Sequence, residues 1–220
     1  MKNFIFYTFI IYSTISMAQK KYLALGDSYT ICEGLDYKKS WPYLLSQQLS
    51  SDGLIFEQPK IIAKTGWRTD ELIAAINEEL EQNEKFDMVS LLIGVNNQYQ
   101  EKPLSKYKKE FKILLHEAIN RSKSGENGVF VVSIPDYGVT PFAKNKNKTD
   151  AIADLEKYNA YAKKLCKKNN VSFFDITPLS QKLSSDISML YEDELHPGPE
   201  QYKAWVESFY EKIVNQLKMN

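Results

Sequence analysis

The sequence predicts an α/β protein, a three-layer α/β/α sandwich built on a five-stranded parallel sheet. Three observations carry that expectation. From Lys21 onward, short β-rich runs alternate with longer helical patterns, the order that crossover helices between parallel strands produce. The runs Val89 to Ile93 and Val129 to Ile134 are apolar at nearly every position rather than at every second one, which marks strands covered on both faces. The helical stretches each carry one apolar stripe, so each buries a single face.

The strands are expected at Lys21 to Leu25, Lys60 to Ala63, Asp87 to Ile93, Val129 to Ile134 and Val171 to Asp175. Helices are expected at Trp41 to Ser50, Thr69 to Gln82, Pro103 to Ser122, Thr149 to Asn169 and Pro199 to Lys218. The second has its stripe at Leu72, Ile73, Ile76 and Leu80, with Thr69 before Asp70 and Glu71 reading as an N-cap. The third has Phe111, Leu114, Leu115, Ala118 and Ile119, and is followed by Gly125 and Gly128 as stop signals. Neither a repeat nor a low-complexity linker interrupts this pattern. One domain is expected, over residues 19–220.

The residues before it read differently. Lys2 precedes an uncharged apolar stretch that includes Phe4, Ile5, Phe6, Phe9, Ile10, Ile11 and Ile15, short of the about 20 residues a membrane span needs. Ser16 and Ala18 are the small residues of a cleavage site. Residues 1–18 are therefore expected to be a secretory signal peptide, cut after Ala18, with a retained N-terminal anchor as the alternative. The mature chain is then exported, periplasmic or extracellular, with no stable membrane span. No Cys lies near the cut, so a lipid anchor is not indicated.

The 220 residues carry 28 Lys and Arg against 28 Asp and Glu. That balance leaves no basic footprint for nucleic acid. Cys32 and Cys166 are far apart, and although an oxidising compartment would permit a disulfide, their spacing suggests neither metal nor redox work. Two Cys and two His, all separated, give no recognisable zinc set, and no metal or cofactor is expected. The run Lys144 to Lys148 reads as a solvated loop entering a helix.

In open parallel sheets, ligands sit beyond the carboxyl ends of the strands. Gly26, Asp27 and Ser28 follow the first strand, Thr65, Gly66 and Trp67 the second, and Gly94, Val95, Asn96 and Asn97 the third. Asp193, Glu194, Leu195, His196 and Pro197 precede the last helix. Together they supply a hydroxyl, an imidazole to take its proton, and a carboxylate to orient the imidazole. An oxyanion formed on an ester carbonyl would need donors, and the N–H groups of Ser28 and Gly66 and the Asn96 amide are suited to that. Each block alone has an ordinary reading as a turn or a helix cap. Their joint occurrence at the strand ends does not. His116, the other histidine, lies on the flank of an amphipathic helix and reads as a surface residue.

The blocks Gly26-Asp27-Ser28, Gly66, Gly94-x-Asn96 and Asp193-x-x-His196 resemble those of the SGNH/GDSL hydrolase superfamily, over Leu25 to Pro197. The resemblance implies a flavodoxin-like sheet in the order 2-1-3-4-5. It implies Ser28 as nucleophile, His196 as base and Asp193 as third triad member, with Ser28, Gly66 and Asn96 as oxyanion hole and no metal. Two positions depart from the pattern: Asn97 stands where many members have Asp, and Cys32 where Gly is expected. The rival Gly-x-Ser-x-Gly elbow of α/β-hydrolases lacks its second glycine here, since Thr30 stands in that place.

The function expected is an exported serine esterase of lipase, lysophospholipase or thioesterase type, acting on a small-molecule, glycan or lipid ester. The alternatives are a carbohydrate O-acetyl esterase and a non-catalytic glycan-binding protein. The insertions Pro135 to Asn147 and Ile176 to Glu192 are expected to border the substrate, and Tyr29, Trp67, Tyr99, Tyr137 and Tyr191 are candidates for its walls.

Overall fold

The computed structural model describes residues 19–218, so the expected signal peptide over residues 1–18 lies outside the described residues. The strands are β1 Tyr22–Asp27, β2 Lys60–Lys64, β3 Met88–Leu92, β4 Val129–Val132 and β5 Ser172–Phe174. They form one parallel sheet in the order β2-β1-β3-β4-β5. Every residue of β1, β3 and β4 is buried, as their unbroken apolar runs require.

The first short helix is α1 Ser28–Ile31, and the first long one α2 Trp41–Ser51. They are followed by α3 Thr69–Glu79, α4 Val95–Tyr99, α5 Leu104–Arg121 and α6 Pro141–Asn145. The rest are α7 Ala151–Lys168, α8 Thr177–Ser184 and α9 Pro199–Lys218. Right-handed crossovers place α2 and α3 on opposite faces, because the chain reverses direction across the sheet between β1 to β2 and β2 to β3. Accordingly α3 packs on α5 and α5 on α7, while α2 packs on α9. On the α2/α9 face the rings of Trp41, Phe130, Phe174 and Phe209 interlock, with Phe174 stacked on Phe209 at 5.2 Å. On the other face Tyr107 meets Phe111 and Tyr158 at 5.2 and 4.4 Å.

Several local expectations change. Gly26 and Asp27 belong to β1 rather than to a loop, pairing with Ala63 and Lys64 of β2. Thr69 is the first residue of α3, not its cap; Arg68 precedes it, and its backbone N–H donates to Glu71 Oε2 at 2.9 Å. The run Lys144 to Lys148 is only partly loop, since Lys144 ends within α6 and Lys148 pairs with Glu101 at 3.2 Å. His116 is exposed on α5, and Cys32 and Cys166 are free and buried. Cys32 has φ 68°, the left-handed backbone that favours glycine, which accounts for the residue type expected there.

Gly26 is required by space. A Cβ there would collide with Thr30 Oγ1 and with the carbonyl oxygen of Leu92, and the backbone of a central strand cannot retreat. Gly26→Ala is expected to lower the unfolding free energy by about 1–3 kcal/mol in urea melts; an unchanged midpoint would show that β1 and β3 can separate.

Candidate active site

Because β1 ends at Asp27 and α1 begins at Ser28, the Ser28 side chain emerges at the carboxyl edge of a central strand. Asp27 caps the turn, its Oδ1 accepting from the N–H of Tyr29 at 3.1 Å. Ser28 Oγ lies 2.9 Å from His196 Nε2, and His196 Nδ1 lies 2.6 Å from Asp193 Oδ2. Asp193 Oδ1 also accepts from the backbone N–H groups of Leu195 and His196, each at 2.9 Å. Burial opposes ionisation of Asp193, but these hydrogen bonds outweigh it and hold its carboxyl below the usual range. A carboxylate so placed fixes the tautomer and orientation of the imidazole.

The segment that carries the dyad is itself clamped. Tyr191 N–H donates to the His196 carbonyl at 2.7 Å and Gly198 N–H to the Met189 carbonyl at 2.8 Å, which closes the turn through Glu194 at φ 60°. The Tyr29 ring packs against the His196 ring at 5.4 Å, with Trp205 behind it at 6.3 Å. Ser28 is 4% exposed and His196 7%, so both are buried, and both border a cavity.

That cavity has a volume of about 150 Å³, and Ser28, His196, Gly66 and Asn96 all line it. Gly66 has φ +80° with open space where a Cβ would stand, so backbone conformation, not crowding, calls for glycine. The Asn96 amide donates to the Trp67 carbonyl at 3.0 Å, which leaves its nitrogen a second N–H in a residue that borders the cavity. The chemistry available is proton transfer from a hydroxyl to an imidazole beside amide donors, the requirements of acyl transfer.

Helix α4 grips the Gly66 loop at successive points, and sequence reasoning missed this. Gln100, just after α4, donates to the Gly66 carbonyl at 3.1 Å and accepts from Arg68 Nη1 at 2.7 Å. Asn97 accepts from the Thr69 N–H at 3.0 Å and donates to Thr69 Oγ1 at 2.7 Å. The Thr69 hydroxyl in turn donates to Glu110 Oε2 at 2.5 Å. This chain explains the neutral residue at position 97: a carboxylate would compete for the Thr69 proton that Glu110 takes, and would set a second negative charge beside it. No periodicity signals these amides, because α4 is barely longer than one turn.

Of the aromatic candidates, Tyr29, Tyr99 and Tyr137 line the cavity. Trp67 and Tyr191 do not: Trp67 packs against the core and Tyr191 covers Gly34. Of the two insertions, Pro135 to Asn147 contributes Tyr137 and Phe142, whereas Ile176 to Glu192 contributes no lining residue and forms α8 and the base of the dyad turn. Leu195, given no role by the sequence beyond its place beside His196, also lines the wall.

The sequence marks Asp27 only as a member of the Gly26-Asp27-Ser28 block. Its carboxyl is fully buried, and Oδ2 has no hydrogen-bond partner among the described residues. Burial pushes its pKa up to about 7, against the opposing pull of the Tyr29 and Gly94 N–H groups. The folded state therefore holds a proton that the unfolded chain releases near pH 4, and stability from this group falls as pH rises towards 7, by up to about 1.4 kcal/mol per pH unit. Asp27→Asn, which keeps the acceptor oxygen without the charge, is expected to melt near the parent at pH 4.5 and above it at pH 8. Parallel melting curves at every pH would exclude this linkage.

Comparison with known proteins agrees with the geometry. The model of the GDSL-like lipase/acylhydrolase family matches residues 24–204. No curated protein sequence matches the chain. A lipase/acylhydrolase from Enterococcus faecalis superposes with a TM-score of 0.67 at 19% identity, covering 90% of this chain and 97% of that one. An acetyl xylan esterase from Geobacillus stearothermophilus gives 0.66 at 18% identity, over 88% and 94%. A psychrotrophic esterase from Pseudoalteromonas sp., inhibited by monoethylphosphonate, gives 0.61 at 15%, over 91% and 100%. At such identities the solved structures show a shared fold.

Proposed function

The chain belongs to the GDSL-like lipase/acylhydrolase family and is a hydrolase acting on esters, and from that premise we propose that it is an exported serine esterase cleaving carboxylic or thioester bonds through an acyl-enzyme on Ser28. The observation that carries the reading is the continuous contact from Ser28 Oγ through His196 to Asp193, at 2.9 and 2.6 Å. Neutral His196 takes the Ser28 proton at Nε2 as Oγ bonds to the ester carbonyl carbon. The oxygen of that carbonyl becomes an oxyanion, met by the N–H groups of Ser28 and Gly66 and by the Asn96 amide. Collapse re-forms the carbonyl and breaks the bond to the alcohol or thiol, which leaves with the proton from His196. Water, deprotonated by the same imidazole, then attacks the acyl-enzyme, and the acid is released as Ser28 recovers its proton. Asp193 stays ionised throughout and keeps Nδ1 protonated.

Export rests on the apolar stretch before Ser16-Met17-Ala18. Among the described residues no helix is long and apolar enough to cross a membrane. Lipase, lysophospholipase, thioesterase and O-acetyl-esterase readings share this mechanism and differ in the ester presented. The likeness to an acetyl xylan esterase favours the last as a second reading. A non-catalytic glycan-binding role has no use for a hydroxyl aimed at an imidazole.

Ser28→Ala is expected to remove hydrolysis of p-nitrophenyl esters while leaving the melting curve in place. Persistent turnover in a folded variant would refute the nucleophile. Asn96→Ala is expected to lower kcat by roughly 10²- to 10³-fold, and an unchanged kcat would mean that the third donor lies elsewhere.

A further inference from the structure

We propose that this site accepts short acyl groups, from acetyl to about six non-hydrogen atoms, and that Tyr137, pinned by Gln98, is the residue that sets the limit. The proposal deepens the serine-esterase reading and rests on it. With Ser28 at the carbonyl carbon, the leaving alcohol must depart on the side of His196, which supplies its proton. The acyl substituent is left with the rest of the cavity, to whose lining α4 and the stretch after β4 contribute Val95, Tyr99, Tyr137 and Phe142. These side chains are apolar or aromatic and suit a hydrocarbon tail. The cavity they share with the reacting groups measures about 150 Å³, the size that accommodates one benzene ring in an apolar protein cavity.

This part of the lining is anchored. Tyr137 is 2% exposed, and its hydroxyl donates to Gln98 Oε1 at 2.8 Å. Its ring meets Tyr99 edge-on at 5.9 Å, and Tyr99 contacts Phe142 at 6.3 Å. The Lys148 ammonium lies over the Tyr99 ring at 5.6 Å while paired with Glu101 at 3.2 Å. Burial pushes the Tyr137 hydroxyl up to about 12, so it remains a donor across the working pH range. Gln98 also borders a second cavity of about 510 Å³, lined by charged groups that include Glu101, Lys102, Asp154 and Lys157. The Tyr137–Gln98 contact is thus a partition between a small apolar pocket and a larger charged one. A longer alkyl chain would have to break that hydrogen bond and enter polar surroundings, which gives it nothing in return.

The test is kcat/KM for p-nitrophenyl acetate, butanoate, hexanoate, octanoate and dodecanoate, with Ser28→Ala as the blank. For the parent, kcat/KM should rise up to about fourfold per added methylene while the chain fits, peak at butanoate or hexanoate, and drop at least tenfold by octanoate. Tyr137→Ala should raise the octanoate to butanoate ratio at least tenfold. That ratio is internal to each protein and is insensitive to the fraction folded. Should Tyr137→Ala not fold, Tyr137→Phe and Gln98→Ala keep the ring and remove its anchor, and each should raise the ratio in the same direction by a smaller factor. A parent that prefers octanoate or dodecanoate overturns the limit while leaving the esterase standing. A ratio unmoved by any of the three substitutions overturns Tyr137 as the wall. Hydrolysis that is absent on every ester, or that persists in Ser28→Ala, overturns the esterase reading and the proposal with it.

Discussion

Strand β1 runs between β2 and β3 in parallel register, with Gly26 opposite Ala63 on one side and Leu92 on the other, and the chemistry of the molecule depends on that pairing. All strands of a parallel sheet point the same way, so the segments that follow β1, β2 and β3 emerge along one edge. Ser28, Gly66 and Asn96 are far apart in sequence and become neighbours through register. A slip of one residue would turn Ser28 to the opposite face. The same burial that fixes the register carries Asp27 into the interior, and so a titratable group ends up in the core beside Ser28.

Around that strand, precision is delegated to amides. Asn96, Asn97 and Gln100 hold the carbonyls of Trp67 and Gly66 and the N–H and hydroxyl of Thr69. Neutral amides suit this work because each offers a donor and an acceptor at once without the desolvation cost of a charge. Charges appear one step further out, where Arg68 meets Asp70 and Lys106 meets Asp70 and Glu110 in partly exposed positions. The loop that presents Gly66 is thereby fastened to α4 and α5, elements that are themselves seated on the sheet.

Much of this was legible in the residues. The unbroken apolar runs of β3 and β4 and the stripes on α3 and α5 express burial directly, so the layers and the long helices follow from them. The short blocks named Ser28, Gly66, Asn96, Asp193 and His196, and the fold carries Ser28, Gly66, Asn96 and His196 to one cavity, with Asp193 bonded to His196. What stayed hidden has a common cause. Helices α1, α4, α6 and α8 run for little more than two turns at most, too short for a 3.6-residue period to declare itself. Likewise Tyr137 and Tyr191 look alike in the sequence, yet one borders the cavity and the other covers Gly34, because their neighbours come from distant segments.

The contact between Ser28 and His196 joins residues 168 positions apart. A chain made from its N-terminus presents the serine early and the imidazole nearly last. In the interval it has a hydroxyl with nothing to take its proton, and an ordinary alcohol is a poor nucleophile at neutral pH. If Ser28 and His196 act as proposed, reactivity is a property of the finished molecule alone. Under the proposed mechanism, hydrolysis is a direct readout of how much of the chain has reached its final form.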